Sequence, residues 1–142
     1  HVKLVNKVDK SLPNLYGDKR RLKQILFNLL SNAVKFSGPG TKIILDAHID
    51  AQSQLVISVT DAGIGMTPKE LEIALSHFGQ VDSEFARKHT GSGLGLPLTK
   101  SLTELHDGQM EIKSAKGSGT TVQVIFPAKR VHQSDITKAE KL

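Results

Sequence analysis

Apolar residues recur at helical spacing between Asp18 and Ser37, and this stretch has the strongest periodic pattern in the chain. Asp18 has the side chain of a good N-cap, and the segment 37–40, Ser-Gly-Pro-Gly, is a typical helix stop. At 100° per residue the apolar positions form one wide face, so we expect a helix that packs against the core. That face contains Leu22, Ile25, Leu26, Leu29, Ala33 and Phe36, and it is widened by Phe27, Leu30 and Val34.

The remaining stripe of this helix is polar and consists of Arg21, Gln24, Asn28, Asn32 and Lys35. A solvated surface is the ordinary interpretation of such a stripe. Asn is a weak helix former, however, and an amide oxygen is a good ligand for a hard cation. Because Asn28, Asn32 and Lys35 point the same way, they are candidates for a ligand site.

Three strands are predicted in the first half of the chain by β-branched and aliphatic residues at 2–8, 41–50 and 54–60. The last two are joined by a short polar turn and predict an antiparallel hairpin. The segment 67–70, Thr-Pro-Lys-Glu, has the form of a capping box with Pro at the first helical position. A short helix should therefore follow, through about Ser76.

Residues 77–95 show no periodicity, and long loops in compact domains are usually functional or disordered. A third helix is predicted over 94–106, ending at Asp107-Gly108, from leucines that share one face. Those leucines are Leu94, Leu98, Leu102 and Leu105. Residues 109–114 and 120–126 predict a closing hairpin. Hairpins rather than βαβ alternation indicate an α/β domain with a largely antiparallel sheet and helices on one face.

The length of 142 residues suits one domain, for which we expect residues 1–127, followed by a polar tail or linker over 128–142. Hydrophobic residues make up 38% and no apolar run reaches membrane-spanning length, so we expect a soluble domain without membrane insertion. The lack of cysteine agrees with a reducing compartment. We therefore expect a cytoplasmic domain. A parent protein with a membrane anchor is compatible with this expectation.

The net charge of +5, from 19 basic and 14 acidic residues, suits a polyanionic ligand. With no Trp and one Tyr, the chain offers little on which nucleic-acid bases could stack. A nucleotide is therefore a better candidate ligand than a nucleic acid.

Two glycine-rich motifs follow the amide-bearing helix. Asp61-Ala62-Gly63-Ile64-Gly65 comes where a strand ends, so we expect Asp61 to point out of the sheet edge and the glycines to let the backbone approach a ligand. A strand-ending turn is the alternative. The segment 91–96, Gly-Ser-Gly-Leu-Gly-Leu, opens the third helix, where free N–H groups make an anion site. Its spacing is neither a Walker A nor a Rossmann motif, and a flexible hinge is the alternative.

Together these motifs resemble the catalytic and ATP-binding domain of sensor histidine kinases, within the superfamily of type II topoisomerase, heat-shock chaperone and mismatch-repair ATPases. The resemblance covers residues 4–127. Residues 28–36 resemble the N box of the family, and Phe78 stands in its F box. Its first, second and third glycine boxes are matched by residues 61–65, 91–96 and 117–120. The family fold is a two-layer α/β sandwich with three helices on one face of a mixed sheet and a mobile ATP lid.

The resemblance also implies roles for individual residues. Asn32 is expected to coordinate Mg²⁺, Asn28 to assist at the phosphates or at the water shell of the metal, and Lys35 to contact phosphate. Asp61 is expected to accept the exocyclic amine of adenine, which GTP replaces by a carbonyl. The other expected ATP-binding residues are Gly63, Gly65, Phe78, Arg87, Lys88, Gly91, Ser92, Gly93, Leu94, Gly95, Leu96 and Thr120.

Two positions depart from the family pattern. Gln80 stands where relatives often have a basic residue, so a phosphate contact there is in doubt, and Arg87 or Lys88 is a candidate to replace it. Solvated loop charges are the alternative for that pair. Asp107 stands where Gly is usual, and we expect a structural consequence only.

The family function is phosphoryl transfer from Mg²⁺·ATP to a histidine on a separate dimerisation helix, and then to a response regulator, in two-component signal transduction. In the ATPase branches a Glu at the Asn28 position activates water, which an amide cannot do, so we expect slow hydrolysis. A degenerate docking module and a self-sufficient ATPase are the alternatives. Of the six histidines only His106-Asp107 has a local acidic neighbour, and capping is the expected role there, so we expect no self-phosphorylation.

Overall fold

The computed structural model describes residues 2–76 and 95–132, which form the following helices and strands. In chain order these are β1 (Lys3–Val8), β2 (Asn14–Leu15), α1 (Lys19–Phe36), β3 (Lys42–Ile49), β4 (Leu55–Asp61), α2 (Pro68–Leu75), α3 (Gly95–Leu105), β5 (Gln109–Ala115), β6 (Gly119–Phe126), a 3₁₀ turn (Ala128–Arg130) and β7 (Val131–His132). The main elements predicted from the sequence are confirmed. The predicted lid, residues 77–91, lies outside the described residues.

Five strands form a mixed sheet in the order β1-β3-β4-β6-β5. β1 runs parallel to β3, whereas the three other strand pairs are antiparallel. α1 packs against α3 and against β4, and α3 packs against β5 and β6. This α/β architecture, with a largely antiparallel sheet, agrees with the prediction.

The long helix α1 begins and ends where its sequence indicates. The Asp18 carboxylate accepts hydrogen bonds from the backbone N–H groups of Arg20 and Arg21, and the N–H of Ser37 closes the last turn on Ala33. A row of three residues one turn apart is buried against the sheet, namely Ile25, Leu29 and Ala33. Burying a side chain of the size of Leu contributes about 1.5–3 kcal/mol, so this row is a main stabilising contact of the domain.

The predicted apolar face of α1 is too wide. Phe27 and Val34 are 66% and 56% exposed. At 100° per residue both lie roughly 150° from the centre of the buried row, because α1 contacts the core along a single stripe. Leu30, the third residue assigned to the edge of that face, is half-buried and packs against the core.

The buried face of α3 also differs from the prediction. Leu98 and Leu105 are exposed, and the buried residues of this helix are Pro97, Thr99 and Thr103. Each Thr hydroxyl donates to the carbonyl four residues earlier, at 2.6 and 2.7 Å. The hydroxyls are thereby satisfied and the methyl groups pack in the core, which a count of leucines does not reveal. Leu102 is half-buried against the core, and Leu94 lies outside the described residues.

The end of α3 and the segment after β6 are joined by charged side chains. Asp107 adopts a left-handed φ of 61°, and the N–H of Gly108 bonds to the carbonyl of Thr103, as in a Schellman cap. The Asp107 carboxylate accepts from Arg130 at 2.9 Å, and this hydrogen bond lowers the pKa of Asp107. Asp107 therefore has a structural role, as expected for a position where Gly is usual.

The segment 128–132, assigned to a polar tail from the sequence, is structured. A 3₁₀ turn leads into β7, which pairs with β2 in antiparallel register. Arg130 also donates to the carbonyl of Tyr16 at 3.1 Å. The prediction of a tail from residue 128 is wrong for these five residues because such pairing with a distant two-residue strand leaves no local pattern.

The short helix α2 begins as predicted, with Thr67 and Glu70 forming a complete capping box. In the described ranges 2–76 and 95–132, no helix has both the length and the apolar character needed to cross a bilayer.

Candidate functional site

Asp61 is the last residue of β4 and lies in the same side-chain row as the core. Side chains alternate between the two faces of β4, so Leu55, Val59 and Asp61 lie on the same face. In the register with β6, Leu55 pairs with Phe126, Val59 with Val122 and Asp61 with Thr120. Asp61 is only 8% exposed. The expectation that it points out of the sheet edge is therefore wrong: the strand carries it to the end of the buried row.

Burial dominates the electrostatics of this carboxylate. Asp61 Oδ1 accepts the backbone N–H of Gly63 at 2.9 Å. Loss of hydration raises the pKa of Asp61, and backbone hydrogen bonds from Gly63 and Thr120 offset part of this rise. A ligand that donates a hydrogen bond to Asp61 would stabilise the charged form and replace part of the lost hydration.

The glycines that follow Asp61 allow backbone segments of the protein itself to approach closely. A Cβ at Gly63 would collide with the carbonyl oxygen of Phe36, at the end of α1. Gly65 has a left-handed φ of 67°, and a Cβ there would collide with the carbonyl oxygen of Ala115. The 61–66 loop is thus wedged between α1 and the β5–β6 turn, so packing alone already requires glycine at both positions.

Ser114 connects this loop to β6 and was not identified from the sequence. Its hydroxyl accepts the N–H of Met66 at 2.8 Å and lies 2.7 Å from the hydroxyl of Thr120. Thr120, an expected ATP-binding residue, is therefore fixed beside its register partner Asp61. The available signal was a polar residue in the half-buried row of β5, after Met110 and Ile112.

The amide of Asn32 lies beside the first residue of α3. A Cβ at Gly95 would lie 3.2 Å from Asn32 Nδ2 and 3.4 Å from Asn32 Oδ1. The N–H groups in the first turn of a helix have no intrahelical acceptor, so donors that can bind a ligand and the Asn32 amide occupy the same part of the molecule. The side chain of Leu96 packs against the core. The structure thus brings the amide stripe of α1 next to the end of the second glycine-rich motif.

Asn28 lies one turn before Asn32. Its Oδ1 accepts a hydrogen bond from Gln24 Nε2 at 2.7 Å. Its Nδ2 is buried and has no hydrogen-bond partner among the residues that the structure describes. A buried amide donor without an acceptor lowers stability by about 1–3 kcal/mol. A ligand that accepts a hydrogen bond from Nδ2 would remove this cost.

The remaining predicted residues are less informative. Lys35 is exposed, with Nζ 5.9 Å from the centroid of the Phe36 ring. The other expected site residues, Phe78, Arg87, Lys88, Gly91, Ser92, Gly93 and Leu94, lie outside the described residues.

Asn32 fits a magnesium ion that is bound mainly through a substrate. Over residues 2–76 and 95–132, no group of three or more His, Asp or Glu side chains is arranged to hold a metal. Mg²⁺ commonly uses one or two protein oxygens and takes its other ligands from phosphates and water. The single amide oxygen of Asn32 satisfies this requirement.

His106 occupies a closed structural position. It is 3% exposed, its Nε2 accepts the N–H of Asp18 at 3.0 Å, and its Nδ1 bonds to the carbonyl of Leu102 at 2.8 Å. Nε2 therefore joins the end of α3 to the N-cap of α1, while Nδ1 is bonded within α3 itself. Of the two histidines whose side chains the structure describes, His48 is exposed and has an acidic neighbour in space, since its Nδ1 lies 3.4 Å from Asp46 Oδ2.

Residues 17–130 match the family described as histidine kinase-, DNA gyrase B-, and HSP90-like ATPase. The chain is 41% identical over 129 residues to the cell-division control histidine kinase PdhS of Brucella ovis. The PdhS protein of Brucella abortus shows the same identity. The match covers 85% of this chain but only 12% of the PdhS length.

Solved structures give the same picture. Full-length ShkA in complex with AMPPNP has a TM-score of 0.73 and 29% identity, over 89% of this chain and 25% of ShkA. The mycobacterial sensor histidine kinase MprB has a TM-score of 0.74 and 25% identity, over 89% of this chain and 81% of that structure. The fold described above is therefore that of histidine kinase catalytic domains.

Proposed function

Because the chain belongs to the histidine kinase-, DNA gyrase B-, and HSP90-like ATPase family, we propose that it binds Mg²⁺·ATP and donates the γ-phosphoryl group to a histidine on a separate dimerisation helix. The observation that carries this proposal is the buried acceptor Asp61 at one end of α1, together with the amides of Asn28 and Asn32 further along it. The parent protein would be a two-component sensor kinase, with a response regulator as the next acceptor. Its catalytic domain would work in the cytoplasm.

Asp61 would recognise the adenine base. A buried carboxylate accepts a hydrogen bond and cannot donate one, so it favours the exocyclic amine of adenine over the carbonyl of guanine. The raised pKa of Asp61 supports this role, since an amine donor would compensate the hydration lost on burial.

The phosphates would lie along α1 toward Asn28. Asn32 would hold the magnesium ion, and Gly95 and Leu96 would offer backbone N–H groups to phosphate oxygens. When bound, the magnesium ion would neutralise negative charge on the phosphates. Lys35 and the glycine-rich residues 91–94 would complete this end of the site.

The transfer itself requires positioning more than proton chemistry in this chain. A ring nitrogen of the acceptor histidine forms a bond to the γ-phosphorus while the bond to the β–γ bridging oxygen breaks and ADP leaves. The acidic residue beside that histidine takes the ring proton. Asn28, an amide, has no proton affinity with which to activate water, which disfavours a self-sufficient ATPase. A degenerate docking module, with nucleotide bound or without it, would not transfer the phosphoryl group to a histidine.

A nucleotide titration tests this proposal. The wild-type chain should bind Mg²⁺·ATP more tightly than Mg²⁺·GTP, and Asp61→Ala should lower ATP affinity by roughly tenfold while changing GTP affinity less. Thr121→Ala, next to the register partner of Asp61, is the control, and it should keep the ATP preference. Equal losses for both nucleotides would make Asp61 only a turn residue.

A further inference from the structure

Gln24 and Asn28 form an amide pair one turn apart on α1. Gln24 Nε2 donates to Asn28 Oδ1 at 2.7 Å. Gln24 is exposed, whereas Asn28 is half-buried. Pairs of this kind stabilise a helix only slightly, so the main consequence of the bond is the orientation that it gives to the Asn28 amide.

This orientation determines which atom Asn28 presents to the site. Because Gln24 occupies Oδ1, the remaining group is Nδ2, which is buried and has no acceptor among the described residues. An amide nitrogen donates hydrogen bonds and does not coordinate a cation. Of the ligands expected here, a phosphate oxygen is the one that satisfies such a donor.

We propose that Gln24 is a positioning residue that orients the Asn28 amide so that Nδ2 donates to a phosphate group of the bound nucleotide. This inference rests on the proposed ATP site. It separates the two amides of the stripe, since Asn28 then binds phosphate while Asn32, beside Gly95, is left to bind the cation. The sequence pattern places both amides on one stripe and does not distinguish their roles.

Substitutions at position 24 can fix or reverse the amide. Gln24→Lys has only donors, so it keeps Asn28 Oδ1 occupied and Nδ2 toward the phosphates. Gln24→Glu has only acceptors at neutral pH, so it attracts Nδ2 and turns Oδ1 toward the negative phosphate oxygens. Gln24→Leu has a similar size and leaves the amide without a partner.

The experiment is a titration of the chain and these variants with ATP, once in EDTA and once in excess Mg²⁺. A salt concentration of about 0.5 M reduces the effect of the added charges. Gln24→Leu should weaken binding roughly three- to tenfold, by the same factor in both conditions, because the lost contact is to phosphate. Gln24→Glu should lose more affinity for ATP than Gln24→Leu, and Gln24→Lys should lose less affinity than Gln24→Leu.

Three controls separate the orientation of the Asn28 amide from charge, from contacts other than Asn28 and from folding. Arg20→Gln changes the net charge by the same unit as Gln24→Glu but retains the amide pair, so it should not reproduce the loss. In an Asn28→Ala background, Gln24→Leu should cause no further loss, because the two residues act through one contact. Thermal melting checks that each variant is folded.

The result that would overturn the inference is a loss seen only with Mg²⁺, which would assign Asn28 to the metal. Equal affinities of wild type and Gln24→Leu, in a chain that binds ATP, would also remove the role of Gln24. A wild-type chain that binds no ATP would instead refute the proposed site itself.

Discussion

Asp61 shows how a functional requirement appears at a single residue. The β4 row that buries Leu55 and Val59 ends in a carboxylate that is 8% exposed. A charged group in this position is less stable than an uncharged one of the same shape, because the backbone N–H groups of Gly63 and Thr120 offset only part of the hydration lost on burial. The residue is thus explained better by ligand recognition than by the stability of the fold.

We predict that Asp61→Asn is more stable than the wild-type chain at neutral pH in the absence of nucleotide. The amide oxygen of Asn can still accept the N–H of Gly63, while the cost of a buried charge disappears. The pKa of Asp61 is raised in the folded state, so wild-type stability falls as pH rises from the ordinary pKa of an Asp through this raised pKa.

Thermal melting from acidic to neutral pH measures this difference. The advantage of Asp61→Asn should be small at acidic pH, where the wild-type carboxyl is protonated in both states, and should grow as pH rises. A difference that is constant with pH, or that favours the wild type at neutral pH, would be inconsistent with a destabilising buried charge.

Asn32 is the residue on which magnesium dependence should rest. We predict that Asn32→Ala lowers affinity for Mg²⁺·ATP by roughly tenfold or more and leaves affinity for ATP in EDTA much less changed. The exposed neighbour Ser31 provides a matched control, and Ser31→Ala should behave as wild type. Unchanged magnesium dependence in Asn32→Ala would remove the assignment.

At the scale of elements, periodicity located the helices well but misjudged which faces they bury. The caps of α1 are correct because Asp18 and Ser37 are local signals. The buried face of α3 was missed because Thr99 and Thr103 satisfy their own hydroxyls and then pack as apolar residues. Burial depends on what an element packs against, and that information lies outside the element.

A pair of substitutions on α1 tests the face that the structure assigns to the core. Leu29 is 2% exposed and Phe27 is 66% exposed. We predict that Leu29→Ala lowers the free energy of unfolding by about 2–5 kcal/mol, whereas Phe27→Ala lowers it by less than about 1 kcal/mol. Denaturant titration gives both values. Similar losses would show that the wide face expected from the sequence is correct after all.

At the scale of the whole molecule, the site combines segments that are far apart in sequence. The sheet places Asp61 beside Thr120, and helix packing places Asn32 beside Gly95. The sequence predicted these four residues and the α/β fold because each motif has a local pattern that resembles a known family. It did not identify Ser114, because that residue acts through a hydrogen bond to a distant segment. It did not indicate the proposed role of Gln24, because that role depends on which atom of the Asn28 amide Gln24 binds.

The two histidines with described side chains are poor phosphoryl acceptors. His106, the histidine with an acidic neighbour in sequence, is buried and uses both ring nitrogens in structural hydrogen bonds. His48 has Asp46 beside it but lies on strand β3. Neither of these two described histidines matches an acceptor exposed on a helix, which agrees with the proposed acceptor on a separate dimerisation helix.

The central claim is tested most directly by incubating the chain with Mg²⁺ and γ-³²P-labelled ATP, alone and with an added histidine kinase dimerisation domain. We predict that the chain binds ATP, releases phosphate only slowly and stays unlabelled, and that acid-labile, base-stable label appears on the histidine of the added domain. Such label on any of the six histidines of the chain itself, or steady release of phosphate without the added domain, would contradict the account.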